Sequence, residues 1–334
     1  MVFGEMSVQD RETAHETKRV FAQMRFSVII PVYNKGQYVK KALESVLSQT
    51  WQDYELIVVD DGSMDDSLSI VKSVLGGSTI YYQIIHQENA GVSTARNNGV
   101  AASHGDYLCF LDADDWWTPS FLEKMDRLIC DYPDAGIYGV NYYIVQHGES
   151  RVAVHYAHTG YINYCQSYRK LQMPLWTGAV CIPHPVFSET GGFKPFLKLG
   201  EDFDVWIRIA LKYKVAFSED PLAFYNQDVD PQWRGVGRLT APEFHMLWNL
   251  DYLADEEKNN PDYKRLIDEL RALCLLPYYL SKQYREAAKS ELKKVDWSKQ
   301  PAHIRRVYGC PLFLLKSWFF LRKAGSFVKQ RLRH

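Results

Sequence analysis

Short apolar runs alternate along this chain with stretches whose apolar positions recur every three to four residues. Phe26-Ser-Val-Ile-Ile-Pro31 reads as a strand, residues 36–49 as a helix and Tyr54-Glu-Leu-Ile-Val-Val-Asp60 as a second strand, which is a β-α-β unit. A helical run follows Asp65; residues 80–86 then read as a strand, 91–103 as a helix and Tyr107-Leu-Cys-Phe-Leu111 as a strand. Near-continuous apolar strands joined by helices predict a parallel sheet covered on both faces, with right-handed crossovers. Residues 135–227 mix strands with a helix at about 201–213, and beyond Thr240 the pattern turns helical, clearest over 242–253 and 263–275.

Ligands bind such sheets beyond the carboxyl ends of the strands, and there the polar residues gather. Asp112-Ala113-Asp114-Asp115 follows an apolar strand, where adjacent carboxylates repel unless a cation or solvent compensates them. A hard divalent ion with oxygen ligands is the natural compensator; the plainer reading is a solvated turn capping the next helix. Asp60-Asp61-Gly62-Ser63 ends another strand with a glycine suited to a sharp exit. One Asp there can accept the imide N–H of uracil or thymine while Tyr33 stacks on the base, or the segment is simply a capped turn. Gly91 to Asn98 opens a helix with small residues and offers Arg96 as a cation for a nucleotide or its phosphates, the alternative being a surface arginine. Gly200-Glu201-Asp202 places carboxylates in the first turn of a helix, where the dipole favours the ionised form that a general base needs. Acidic residues also stand there for helix stability alone.

The formal net charge of −1 over 334 residues supplies no general basic field, so nucleic acid is not an expected partner. Cys109, Cys130, Cys165, Cys181, Cys274 and Cys310 are widely spaced and read as ordinary buried thiols. No apolar run reaches the roughly 18 residues of a spanning helix. After Asp296 no acidic residue occurs, while an aromatic-rich apolar stretch over 307–321 lies among lysines and arginines. That composition reads either as an interfacial segment on an anionic membrane face or as a terminal helix packed on the core.

Ser27-Val-Ile-Ile-Pro-Val-Tyr-Asn34, Val58-Val-Asp-Asp-Gly-Ser63, Asn89-Ala-Gly-Val-Ser-Thr-Ala-Arg-Asn97, Phe110-Leu-Asp-Ala-Asp-Asp115 and Gly200-Glu-Asp202 together resemble glycosyltransferase family 2, over about residues 26–226. The resemblance implies the GT-A fold, a Rossmann-like mixed α/β sheet flanked by helices, here with a C-terminal helical extension. It implies that Pro31, Tyr33 and Asp61 surround the base of a UDP-sugar or dTDP-sugar, with Arg96, Asp112 and Ala113 also at the nucleotide. Asp114, with Asp112, would hold Mn2+ or Mg2+. Asp202 would be the catalytic base and Glu201 would support the acceptor, a hydroxyl of a glycan or lipid-linked glycan, with inversion at the anomeric carbon. His184, between Pro183 and Pro185, is expected on a loop or beside the acceptor.

Processive members carry Gln-x-x-Arg-Trp and membrane spans; here Pro231-Gln232-Trp233-Arg234 stands without either, which favours transfer of one or a few sugars. Trp233 and Arg234 fall where relatives have a loop over the diphosphate. The expected organisation is a leader at 1–24, a GT-A domain at 25–230, a helical accessory region at 231–300 and a basic tail at 301–334, acting in the cytoplasm at the inner membrane face. Two rivals remain. A catalytically silent sugar-nucleotide binder is opposed by the intact Asp112, Asp114 and Asp202, and a sugar nucleotidylyltransferase by the glycine-poor Tyr33-Asn-Lys-Gly36.

Overall fold

The computed structural model describes residues 24–155, 158–168, 172–230 and 239–317. The leader to residue 23, Trp233 and Arg234, and the tail from 318 lie outside the described residues. The chain divides into two compact units, residues 1–234 and 235–334.

The first unit begins with β1 (Phe26–Val32), α1 (Gly36–Leu47), β2 (Tyr54–Asp60), α2 (Ser67–Leu75), β3 (Tyr82–His86), α3 (Val92–Ala101) and β4 (Tyr107–Phe110). It continues with β5 (Trp116–Trp117), α4 (Phe121–Asp131), β6 (Ala135–Gln146), β7 (Glu149–Val152), β8 (Gly160–Ile162) and α5 (Tyr164–Ser167). The last elements are β9 (Val180–Pro183), α6 (His184–Thr190), α7 (Glu201–Ala210) and β10 (Lys214–Asn226). Their order across the sheet is β3-β2-β1-β4-β9-β6-β10-β5, with β7 beside β6 and β8 beside β10.

The strands β1 and β2 are buried at every position, which is why they read as near-continuous apolar runs. The pairs β1–β2, β2–β3 and β1–β4 are parallel, whereas β9 runs antiparallel to both β4 and β6. Parallel pairing thus holds for the first half, and the second half makes the sheet mixed. Between β1 and β4 the chain direction of winding reverses, and this switch point opens the crevice at the carboxyl ends. Pairing of β1 with β4 stops at Ile29 opposite Phe110, so Pro31, two residues on, withholds no donor that β4 needs. Cys109 and Cys181 are partners across β4 and β9 and are buried, but Cys130 is exposed: a thiol four residues from Asp126 on the outer face of α4 has nothing packed over it.

In the second unit lie α8 (Ala254–Asn259), α9 (Pro261–Cys274), α10 (Leu276–Leu280), α11 (Arg285–Leu292) and α12 (Ala302–Gly309). Asn260 caps α9 by accepting from the N–H groups of Asp262 and Tyr263, and Pro261 fills its first position. The helix expected over 242–253 is instead a series of short 3-10 turns, Pro242–Phe244, Met246–Trp248 and Asp251–Leu253. His245 Nδ1 accepts the Leu247 N–H at 3.0 Å, and the Asn249 amide donates to the His245 carbonyl at 2.9 Å. Side-chain bonds to nearby backbone compete with the helical ladder and here displace it. Among the described residues no helix is long and apolar enough to cross a membrane.

At the amino ends of the central strands Glu55 is fully buried. It accepts from the Ser27 hydroxyl at 2.7 Å, the His104 N–H at 2.5 Å and the Gly105 N–H at 3.2 Å, tying β1, β2 and the approach to β4 together. Replacing Glu55 by Ala strands these donors in an apolar setting, and the unfolding free energy should fall by about 3 kcal/mol. Glu55→Gln, which keeps one acceptor oxygen, should lose less. Urea denaturation of both variants beside the native chain measures the difference.

Candidate active site

The loops leaving β1 and β2 are stitched to each other. Asn34, in the left-handed region at φ 51°, accepts the Met64 N–H at 2.8 Å, while its own N–H donates to Ser63 Oγ at 3.1 Å. The Lys35 N–H donates to Ser67 Oγ at 2.8 Å. Gly62 has φ 73°, and a Cβ there would stand 3.0 Å from the backbone nitrogen of Asn89, so both conformation and space call for glycine. Asp61 is buried; its Oδ1 accepts from Gln87 Nε2 and the Ala90 N–H, each at 2.8 Å, and its Oδ2 from the Gly91 N–H at 2.9 Å. These bonds fix the entrance to α3 and leave one lone pair on Oδ2. Tyr33 is 37% exposed on the adjoining loop, whereas Pro31 is buried in β1.

Beyond β4 the carboxylates separate into two kinds. Asp112 and Asp114 keep about a quarter and a fifth of their side chains open, at 26% and 18%. Asp115 is buried, accepting from the Asn226 N–H at 2.8 Å and from Trp176 Nε1 at 3.4 Å, and so fastens this loop to the end of β10. Ala113 packs into the apolar core. Gly200, at φ 80°, turns the chain into α7, and the helix delivers Glu201 and Asp202 to the same place. Asp204, one turn on, is buried and paired with Lys194 and Arg208, which makes it part of the framework.

Arg96 joins these segments. It is 3% exposed, and its Nη2 donates to Asp112 Oδ1 at 2.7 Å while Nη1 reaches Glu201 Oε1 at 3.4 Å. Its Nε is buried without a protein partner. Lys35 Nζ meets Asp114 Oδ2 at 2.5 Å. Asp202 accepts from Thr177 Oγ1 at 3.3 Å and from the Phe203 N–H at 2.7 Å.

The electrostatics follow from burial. Desolvation pushes Glu201 up to about 7, reinforced by Asp202 and opposed by Arg96. Asp202 is raised as well, by desolvation against the pull of Arg96 and of the Phe203 N–H; the helix terminus expected to keep it fully ionised does not outweigh burial. Asp114 is raised by desolvation and Asp112, with Lys35 opposing, and Asp115 well above the usual carboxylate range by desolvation and its two acidic neighbours. Burial works against the charge of Arg96, yet Asp112 and Glu201 hold its pKa above the ordinary value.

Asp112, Glu201 and Asp202 are thus brought together around Arg96, with Asp114 in the same loop as Asp112, and Tyr33 and Asp61 stand at the neighbouring strand ends. His184 is elsewhere. It starts α6, with Nδ1 3.3 Å from the Gly105 carbonyl at the amino end of β4, the end opposite Asp112, because β9 runs antiparallel to β4. Sequence reasoning missed Lys35, Thr177, Trp176 and Asn226. Lys35 directly follows the Tyr33-Asn34 pair and was open to inspection as a cation; the others carry no local signal.

Among the described residues no group of three or more His, Cys, Asp or Glu converges as a metal cage. Asp112 and Asp114 do suit a magnesium-type ion, which commonly takes one or two protein carboxylates and completes its shell with phosphate oxygens and water.

Residues 27–188 match the family model described as Glycosyl transferase family 2. A protein of Rickettsia felis named "Uncharacterized glycosyltransferase" is 28% identical over 269 residues, which is 72% of this chain and 44% of that protein. Glycosyltransferase GlyA of Streptococcus pneumoniae is 39% identical over 133 residues, 39% of this chain and 18% of that protein. The chain therefore spans less than half the length of these relatives. Among solved structures, S. aureus TarS in complex with UDP-GlcNAc matches with a TM-score of 0.58 at 18% identity, over 80% of this chain and 70% of that one. Mannosyltransferase PcManGT from Pyrobaculum calidifontis, in complex with GDP-Man and Mn2+, matches at 0.54 and 15% identity, over 90% of this chain and 86% of that one. At such identities the likeness is one of fold, and it defines the first unit as a GT-A domain. The family model matches along that domain, which is thus a glycosyltransferase family 2 domain.

The raised pKa of Glu201 makes stability depend on pH. A carboxyl whose folded pKa lies at about 7 against an ordinary 4.5 binds a proton on folding between those values, so its contribution is lost as pH rises through that window. The unfolding free energy should fall from pH 4.5 to 7, and Glu201→Gln should flatten that part of the profile. Denaturant melts at half-unit pH steps measure both curves; equal slopes would place the titrating group elsewhere.

Proposed function

We propose that the chain is an inverting, metal-dependent glycosyltransferase that moves a hexosyl or N-acetylhexosaminyl group from a UDP-sugar, or a dTDP-sugar, to a hydroxyl of a glycan or lipid-linked acceptor. It adds one or a few sugars per acceptor, in the synthesis of cell-surface polysaccharide or glycoconjugate, at the cytoplasmic face of the membrane. The observation that carries this reading is Arg96, which gathers Asp112 and Glu201 beside Asp202 at the carboxyl end of β4.

The donor base stacks on Tyr33, and the free lone pair of Asp61 Oδ2 takes the imide N–H. Solved relatives of the fold hold uridine and guanosine nucleotides alike, so the choice of uracil or thymine rests on Asp61. Asp112 and Asp114 would hold the divalent ion, whose charge would offset that growing on the diphosphate. Asp202 accepts the proton of the acceptor hydroxyl as its oxygen bonds to the anomeric carbon and the bond to diphosphate breaks. The Thr177 hydroxyl and the Phe203 N–H fix this carboxylate in place, and Arg96 favours its charged form. Glu201, with a pKa near neutrality, orients the acceptor. Trp176, tilted at 36° against Tyr225 with ring centroids 4.0 Å apart and adjoining Thr177, offers a face on which an acceptor sugar can rest.

Screening nucleotide sugars for transfer and donor hydrolysis with manganese or magnesium tests the activity directly. Within it, Asp202→Asn should leave donor affinity unchanged by calorimetry while single-turnover transfer falls by roughly two to four orders of magnitude. Near-native transfer by this variant would move the base to another carboxylate.

Lys35 and a divalent ion compete for the same oxygen of Asp114. Lys35→Met should therefore bind Mn2+ about tenfold more tightly in the absence of nucleotide, the effect of removing one competing charge contact. Titration calorimetry reads this without turnover, and Asp114→Asn should abolish the gain.

A further inference from the structure

The second unit contains a groove of about 470 Å³ that the transfer chemistry does not use. Its walls are aromatic. Tyr279 and Tyr308 meet with ring centroids 5.3 Å apart, and Trp297 and Tyr308 at 4.9 Å. The polar atoms of two of these rings are committed to backbone: the Tyr308 hydroxyl donates to the Ala272 carbonyl at 2.8 Å, and Trp297 Nε1 to the Leu292 carbonyl at 3.2 Å. The rings are half-buried and held in place, presenting apolar faces to the groove.

Its rim is cationic. Lys289, Lys293 and Arg305 line it, and among the described residues no acidic side chain does. Lys289 pairs with Glu286 at 2.9 Å, whereas Lys293 and Arg305 take part in no ion pair among the described residues. Both are exposed.

From this pairing of fixed aromatic faces with two exposed cations outside any ion pair, of which Lys293 feels the charge of Glu286, we infer that the groove binds an anionic saccharide. The C–H face of a pyranose packs flat on a rigid aromatic ring, whose face is electron-rich. A phosphate or carboxylate on the sugar meets Lys293 and Arg305, which compensate its charge and donate hydrogen bonds to it. The groove volume lies within the roughly 300–1,000 Å³ of small-molecule sites. A lipid surface fits less well, since insertion needs apolar side chains that project from the protein. Phe313 and Leu314, 69% and 50% exposed, answer that description, and they are not part of the groove. The inference concerns the second unit alone and stands or falls independently of the transferase reading.

The test uses the full chain with its nucleotide site saturated by UDP and Mn2+, titrated calorimetrically with a disaccharide bearing one phosphate monoester and with the same disaccharide unphosphorylated. The phosphorylated sugar should bind about tenfold more tightly, the worth of one charge-assisted hydrogen bond. Lys293→Ala with Arg305→Ala, both surface changes, should erase that preference while leaving the neutral sugar's affinity unchanged. Trp297→Leu should weaken both sugars. Equal affinity of the native chain for the two sugars, or a preference that survives the double substitution, would overturn the inference. A third arm uses phosphatidylglycerol vesicles. If the native chain binds them through Lys293 and Arg305 but binds neither disaccharide, the groove serves a membrane surface and the inference is wrong.

Discussion

A single buried guanidinium holds the candidate site together. Arg96 comes from α3, Asp112 from the loop after β4 and Glu201 from the start of α7, and its two nitrogens bond to both carboxylates. Burying an arginine is costly unless well-placed anions offset the loss of water, and packing several carboxylates together is costly without a cation among them. Each half of this arrangement makes the other tenable. The resemblance casts Arg96 as a nucleotide contact; in the structure each Nη makes one bond to a protein carboxylate, and Nε is buried without a protein partner.

That arrangement also sets the protonation of the acidic groups. Apart from Arg96 and its own backbone contact, the surroundings of Glu201 favour the neutral acid, through burial and the charges of Asp202 and Asp112. With Arg96, Asp202 remains less perturbed than burial alone dictates. The first turn of α7 thus holds two adjacent carboxyls in unlike environments, the arrangement the proposed reaction asks of a base and an acceptor-orienting group.

The first half of the sheet was legible because β1 and β2 are buried on both faces, and such strands are predominantly apolar, with Ser27 and Glu55 bonded to each other as the exceptions. The polar clusters at their ends were legible for the complementary reason: Asp, Asn and Tyr immediately after an apolar strand have to face a crevice or a turn. Local pattern does not reveal which distant group answers each charge. Asp61 looks like a free acceptor in sequence, yet Gln87, Ala90 and Gly91 take most of its capacity. Asp115 is indistinguishable from Asp114 until Asn226 and Trp176 close over it. Residues 242–253 misled for a different reason, since their apolar spacing is helical while His245 and Asn249 bond to their own backbone.

Asp115 shows how the two halves of the domain are kept in register. Its neighbour Asp114 is tied through Lys35 to the loop after β1. Its own oxygens accept from Asn226, at the end of β10, and from Trp176, which precedes the Thr177 that bonds Asp202. All of these partners are donors, so the tie survives whether Asp115 is ionised or, as its burial beside Asp112 and Asp114 favours, neutral. A neutral tie adds no charge to a crowded site. The same short loop therefore leaves Asp112 and Asp114 partly open on one side while anchoring the end of β10 and the turn that carries Thr177 on the other, and the separation of the two is set by covalent neighbours rather than by a flexible contact.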